Sequence, residues 1–410
     1  MRKEELRTPC YVVQEQKLKD NLEILKGICD ETGCKILLAQ KAFSMYRVYP
    51  LIARYLDGAT ASGLYEARLG YEEMGKENHI FSPAYREEEM PEILRMCGHI
   101  IFNSPAQFKK YKEQVKQAGR SMGLRINPEC STQEGHAIYD PCAPFSRLGT
   151  TLAQFERQLT EEEIAELDGL HFHTLCEQDS DDLEKTLRAV EEKFGKYLHG
   201  MKWFNFGGGH HITREDYDRE LLKKCIRHVR DTYDVEVYLE PGEAVALNAG
   251  ILITEVQEIV ENGMEIAILD TSAACHMPDV LEMPYRPPLK DAGNPAEETP
   301  TDAEETQPDA DAPAEETQAD TGETARRTER PYVYRLAGPT CLAGDVIGDY
   351  SFACPLKPGD RLEFQDMAIY TMVKNNTFNG MKLPDIVLEH ADGECEIIKT
   401  FGYEDFKSRL

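Results

Sequence analysis

Residues 34–44 read Cys-Lys-Ile-Leu-Leu-Ala-Gln-Lys-Ala-Phe-Ser. The apolar run at 36–39 predicts a short strand buried on both faces, with Lys41 just beyond its end. A lysine there either extends its head into water or stays near an apolar floor. In the second case burial lowers the ammonium pKa, and the amine becomes a usable nucleophile or Schiff-base former.

Seven further runs of the same kind follow, at 57–62, 79–82, 99–103, 122–127, 167–174, 201–206 and 235–240. Amphipathic stretches at 65–74, 105–117, 181–193 and 214–232 separate most of them. Eight strand-helix units predict an α/β fold, a (β/α)8 TIM-like barrel, in which chemistry collects at the carboxyl ends of the strands. Ahead of the barrel, 8–13 predicts a strand and 17–30 a helix with Leu18, Leu22, Leu25 and Cys29 on one face. Beyond Gly242 the pattern turns to strands, at 251–260, 264–270, 332–337, 360–366 and 368–374. The expected organisation has three parts. Residues 1–30 hold a strand that joins a β domain, together with the first helix. Residues 31–242 form the barrel, and residues 243–410 form a C-terminal all-β barrel or sandwich. Residues 292–328 are Pro, Ala, Glu, Thr and Asp with almost no large apolar side chain, so a disordered acidic insertion is expected at about 291–330.

The net charge of -28 argues against nucleic acid, although thirteen acids against three bases fall within 291–330. The remainder is still acidic enough to favour a cationic ligand, while surface acid also serves solubility. No apolar run reaches the roughly 20 residues of a membrane span, and no signal-type segment opens the chain, so a cytoplasmic protein without membrane contact is expected. The twelve cysteines form no CxxC pair and no zinc-spaced cluster, so no metal is expected.

Several polar residues fall at strand ends. His173 closes the sixth strand, and Gly207, Gly208 and Gly209 follow the seventh. Glycines there let backbone N-H groups approach a phosphate, or simply make a turn. The eighth strand ends at Glu240-Pro-Gly-Glu243. A carboxylate at a barrel mouth needs a cation or strong donors, and it can hold a proton on a pyridine-ring nitrogen or accept from loop backbone. Cys341 follows Gly338-Pro339-Thr340, a turn that displays a thiol. Tyr370 combines a strand-type aromatic with a polar tip able to reach a phosphate.

In order, the motifs are Gln-Lys41-Ala, Ala-Ser62, Leu-Arg125-Ile-Asn, Ser-Arg-Leu-Gly149, Phe-His173, the triple glycine, Glu240-Pro-Gly, Gly-Pro-Thr-Cys341 and Tyr370. Together they resemble the fold-type III, alanine racemase-like pyridoxal 5'-phosphate enzymes, which include ornithine and diaminopimelate decarboxylases. The resemblance implies that Lys41 carries the cofactor as a Schiff base and that His173 stacks on its ring. It also implies that Glu240 binds the ring nitrogen and Arg125 lies near the ring oxygen. Gly208, Gly209 and Tyr370 would hold the phosphate. Cys341, with Asp345 in the same loop, would complete the site of a second subunit in a head-to-tail homodimer, Cys341 returning a proton after decarboxylation.

Two departures bear on the substrate. Ornithine-type enzymes carry Arg after Glu-Pro-Gly, where this chain has Glu243, and an acid after the cysteine, where it has Leu342. Residues 271–285, with Glu-Pro-Gly-Glu-Ala, resemble the carboxynorspermidine/carboxyspermidine decarboxylases. From that resemblance Glu243 and Asp279 are expected to meet the amines of a carboxylated polyamine. The alternatives are a decarboxylase of diaminopimelate or ornithine, and a non-catalytic regulatory homologue.

Overall fold

The barrel strands are short and mostly apolar because both of their faces are covered. The computed structural model describes residues 1–133, 140–295 and 330–410. Within them the expected barrel is present. Strands β2 (Lys35–Ala39), β3 (Gly58–Ala61), β4 (Glu77–Phe81), β5 (His99–Phe102), β6 (Ser121–Arg125), β7 (Gly169–His171), β8 (Trp203–Asn205) and β9 (Glu236–Leu239) form a closed barrel. All eight pairings are parallel, and β2 returns to β9 through Lys35 with Tyr238 and Ile36 with Leu239. Every carboxyl end therefore opens on one rim.

The lower barrel is plugged by aromatic rings. Trp203 packs with Leu37, Ile101 and Tyr238, and the His79 and His99 rings stack with centroids 3.9 Å apart. Two glycines make room for the indole. A Cβ at Gly169 would lie 2.1 Å from Trp203 Cδ2, and one at Gly123 would lie 2.2 Å from Cη2. Beneath the plug, Lys35 Nζ bridges Glu77 Oε1 (2.6 Å) and Glu236 Oε1 (2.9 Å).

The second sheet runs β13-β12-β11-β10-β1-β15-β16, with β14 beside β10. Its members are β1 (Cys10–Gln14), β10 (Gly250–Glu261), β11 (Glu265–Leu269), β12 (Tyr332–Ala337), β13 (Val346–Phe352), β14 (Arg361–Gln365), β15 (Asp385–Glu389) and β16 (Cys395–Lys399). Strand β1 lies between β10 and β15, antiparallel to the first and parallel to the second. The helix Glu15–Thr32 leads from it to the barrel and buries Leu18, Leu22, Leu25 and Ile28. On the same helix, Asn21 Nδ2 donates to the carbonyls of Val245 (3.3 Å) and Leu247 (2.8 Å), which anchors the chain just after Glu243.

The expected strand at 368–374 is absent. Tyr370 takes a positive φ of 51°, its N-H donates to the Ala42 carbonyl (2.7 Å), and Thr371–Lys374 forms a helical turn. A tertiary hydrogen bond overrides the strand propensity of Ile369, Tyr370 and Thr371. Strands β13, β15 and β16 were not anticipated by the pattern. The acidic stretch at 296–329 lies outside the described residues. Among the described residues, no helix is long and apolar enough to cross a membrane.

Gly169→Ala places a methyl group inside the indole's space, so it is expected to destabilise the fold by ~1–3 kcal/mol. Urea unfolding followed by the fluorescence of this single tryptophan checks it; an unchanged midpoint would mean that the ring can move aside.

Candidate active site

The barrel rim gathers Lys41 after β2, Arg125 at the end of β6, His173 after β7, the triple glycine after β8 and Glu240 after β9. The turns that carry Lys41 and Glu240 are packed on each other. Ala39 N-H donates to the Pro241 carbonyl (3.3 Å), and a Cβ on Gly242 would lie 2.5 Å from Ala42 Cβ.

Glu240 sits on the floor of the rim, only 6% exposed. Asn205 Nδ2 donates to its Oε1 (2.8 Å), and His171 Nε2 lies 3.4 Å from its Oε2. Burial opposes the charge, but His171, His79 and Asn205 hold the carboxyl well below the usual carboxylate range. His171 is itself pushed toward neutrality by burial. The floor is thus an ionised carboxylate with Asn205 donating to one oxygen and His171 beside the other, which suits a protonated ring nitrogen.

Lys41 lies open to the cavity above this floor while protein crowds its other sides. Burial lowers its ammonium pKa, Arg125 adds to the lowering, and Glu243 partly opposes it. His173 Nδ1 accepts the Gly208 N-H (2.8 Å), so the neutral ring carries its proton on Nε2. Burial, Lys41 and Arg125 keep that ring neutral. The His173 carbonyl in turn accepts from Arg125 Nη2 (2.9 Å). The Arg125 guanidinium lies 4.6 Å from the centre of the Phe81 ring, and burial lowers its pKa to about 10.

The glycines answer to their neighbours. Gly207 and Gly209 have φ of 69° and 83°, and a Cβ on either would strike the carbonyl of Phe172 (2.3 Å) or Leu175 (2.0 Å). A Cβ on Gly208 would lie 2.5 Å from the Glu240 carbonyl oxygen. This close passage of bare backbone also leaves the rim open to an anion.

Above Lys41 is a cavity of about 860 Å³ whose walls include Glu177, Glu243, Asp279, Tyr370 and Lys374. Glu177, Glu243 and His211 each bring a ligand atom within 4.8 Å of the other two, a geometry suited to a small cation or an ammonium head. His211 Nε2 lies 3.2 Å from Glu243 Oε2. Burial lowers the imidazolium pKa, but Glu243 and Glu177 more than offset it, so the pKa is raised. The Tyr370 hydroxyl is held protonated by burial and by Glu243, which it faces. Asp279, expected to meet a substrate amine, accepts from Lys374 Nζ, which also reaches Glu282 Oε2 at 2.9 Å.

Cys341 is exposed, outside the lining of this cavity, and its N-H donates to Asn379 Oδ1 (2.8 Å). Asp345, expected in a shared site, is instead buried beneath the turn. It accepts from Ser272 Oγ (3.0 and 2.8 Å), Ala274 N (3.2 Å) and Thr340 Oγ1 (2.6 Å). Its carboxylate positions the loop that displays Cys341.

A family model described as "Pyridoxal-dependent decarboxylase, C-terminal sheet domain" matches residues 10–368. The chain belongs to this family. The enzyme is therefore a carboxy-lyase that depends on pyridoxal phosphate. It is 42% identical over 406 residues to a carboxynorspermidine/carboxyspermidine decarboxylase of Campylobacter jejuni, covering 99% of each chain. It is 39% identical to a carboxyaminopropylagmatine decarboxylase of Synechocystis, covering 99% of this chain and 96% of the relative. The crystal structure of carboxynorspermidine decarboxylase from C. jejuni complexed with norspermidine superposes with a TM-score of 0.84 at 41% identity, covering 99% of this chain and 100% of that one. The rim fits the family's cofactor: a lysine of lowered pKa stands over an ionised carboxylate, and bare backbone lies beside them.

Sequence reasoning missed Asn205, His171, His211, Glu177 and Lys374. Asn205, His171 and His211 lay near motifs already singled out, two residues before Gly207, two before His173 and two after Gly209, and Lys374 four residues after Tyr370.

The raised pKa of His211 gives a signed prediction. A raised folded pKa contributes stability that is fully present below the unfolded value of 6.5 and is lost as pH rises through the folded pKa. Wild type is expected to lose its stability advantage over His211→Asn across that alkaline interval; a difference that stays flat with pH would contradict the His211–Glu243 pairing.

Proposed function

We propose that the enzyme removes the α-carboxylate of carboxyspermidine or carboxynorspermidine, releasing carbon dioxide and spermidine or norspermidine. The observation that carries this reading is the acid wall of the cavity, with Glu177 and Glu243 at one station and Asp279 at another. A substrate with two remote ammonium groups needs two such stations, because each ammonium taken from water requires an anionic partner. The relatives of 42% and 41% identity support the same class.

The bound cofactor supplies an electron sink for the pair left behind by the departing carboxylate. Lys41 would hold the cofactor, and its lowered pKa keeps the amine available for that bond. Glu240, kept ionised, retains the proton on the ring nitrogen. His173, neutral and fixed by Gly208, would offer a flat face to the ring, and Arg125, donating to the His173 carbonyl, would lie near the ring oxygen. Gly208, Gly209 and Tyr370 receive the phosphate. Cys341 reaches the site of a second copy in a homodimer and gives the thiol proton to the carbon that lost carbon dioxide; solvent then restores the thiol.

A guanidinium-ended substrate is the competing reading, because of the carboxyaminopropylagmatine relative. Diaminopimelate fits less well, since its distal carboxylate would face Glu177 and Glu243. Ornithine has one remote ammonium and leaves Asp279 unused. The two carboxypolyamines differ by one methylene, which separates them by only about 1–3 kcal/mol.

Carbon dioxide release from carboxyspermidine, carboxynorspermidine, carboxyaminopropylagmatine, diaminopimelate and ornithine tests the reading. Turnover is expected for the first two, and turnover confined to any of the others would overturn it. Cys341→Ala is expected to lower kcat by about 10²–10⁴. Mixing inactive Lys41→Ala with Cys341→Ala protein should restore about a quarter of wild-type activity if sites are shared between subunits that exchange. Exchange without recovery would exclude the shared site.

A further inference from the structure

Asp279 is 8% exposed, yet no substrate is needed to neutralise it. Lys374 does so from across the cavity wall, reaching over 95 residues of sequence to donate to Asp279 Oδ1 and to Glu282 Oε2. A carboxylate built to receive an incoming ammonium has a problem when the ligand is away. Left alone it would carry a desolvated charge, at a cost of several kcal/mol.

The Lys374 side chain is 34% exposed, and that of Asp279 12%. The lysine head can therefore swing into water on its flexible stem, while the carboxylate cannot follow it. The lysine's backbone need not move. It ends the turn Thr371–Lys374, whose Val373 and Lys374 N-H groups donate to the Tyr370 carbonyl (3.1 and 2.9 Å). Tyr370 N-H is itself tied to the Ala42 carbonyl beside Lys41 (2.7 Å). One end of this segment is anchored at the reacting lysine and the other presents a mobile ammonium to Asp279.

We infer that Lys374 is a tethered stand-in for the substrate's distal ammonium, occupying Asp279 in the free enzyme and exchanged for that ammonium when substrate binds. The inference rests on the polyamine reading above and adds to it a residue that sets the affinity for a ligand with a second ammonium. A ligand with one remote ammonium can pair with Glu243 but leaves Lys374 in place. A ligand carrying a second ammonium replaces one ion pair by another and releases the lysine to water. The exchange lowers the affinity for long polycations and leaves that for short basic amino acids unchanged, without any steric gate. It also weakens product binding, which aids release.

The test is titration of the cofactor-loaded enzyme with norspermidine. If Asp279 is free of Lys374 about one-tenth of the time, Lys374→Met should tighten the dissociation constant about tenfold. Lys374→Arg, whose planar fork holds carboxylates more firmly, should bind norspermidine no tighter than wild type. Asp279→Asn added to Lys374→Met should abolish the gain. Lys374→Gln reads in the same direction as Lys374→Met and covers a folding failure of the latter. Norspermidine affinity unchanged or weakened in folded Lys374→Met and Lys374→Gln would overturn the inference while leaving the polyamine reading intact. If Asp279→Asn alone leaves norspermidine binding unchanged, the assignment of Asp279 to an amine fails, and the stand-in role fails with it.

Discussion

An ionised carboxylate with almost no access to water is the constraint on which the rim depends. Glu240 stays charged because Asn205 at the end of β8 and His171 at the end of β7 both turn toward it. That convergence requires neighbouring strands to end at the same height on an inward-curving wall, which the closed parallel barrel provides. The glycines after β8 follow from the same crowding, since Gly208 passes within contact distance of the Glu240 backbone. Charge, strand register and glycine placement are one problem with one solution.

The two ends of the barrel solve opposite tasks. The lower end is filled by Trp203, His79 and His99, with no room for a Cβ at Gly123 or Gly169. Rigidity there lets the upper end remain open around Lys41 and Glu240. The second sheet supplies the outer wall of the cavity. Its strand β1 comes from the start of the chain, and the helix after it reaches the turn behind Glu243 through Asn21.

The cavity's carboxylates come with their own counter-charges. His211 faces Glu243, and Lys374 faces Asp279. Acid at a binding site for cations must be tolerable when no cation is bound, and a built-in base meets that need. The two differ in kind: His211 is buried and its pKa is raised by the carboxylates it faces, whereas Lys374 is part-exposed on a flexible stem and its pKa is raised by Asp279 and Glu282.

The sequence by itself determined the eight barrel strands, the position of Lys41 after the first, and Glu240 after the last. Each is a local signal, an apolar run of four or five residues followed by a polar one, and burial on both faces of a parallel strand enforces that pattern. The family resemblance was legible for a related reason, since its motifs sit in the turns that follow those strands. Tertiary structure alone decided the rest. Residues 368–374 carry strand-type side chains, yet the hydrogen bond from Tyr370 to Ala42 makes a helical turn of them. Asp345 follows Cys341 by four residues, and Ser272 and Thr340 draw its carboxylate beneath the turn. Asp279 reads as a free carboxylate, and Lys374 comes from far along the chain to pair with it. Hydrophobic periodicity is written along the chain, whereas the partner of a buried charge is set by whatever the fold brings within 3 Å of it.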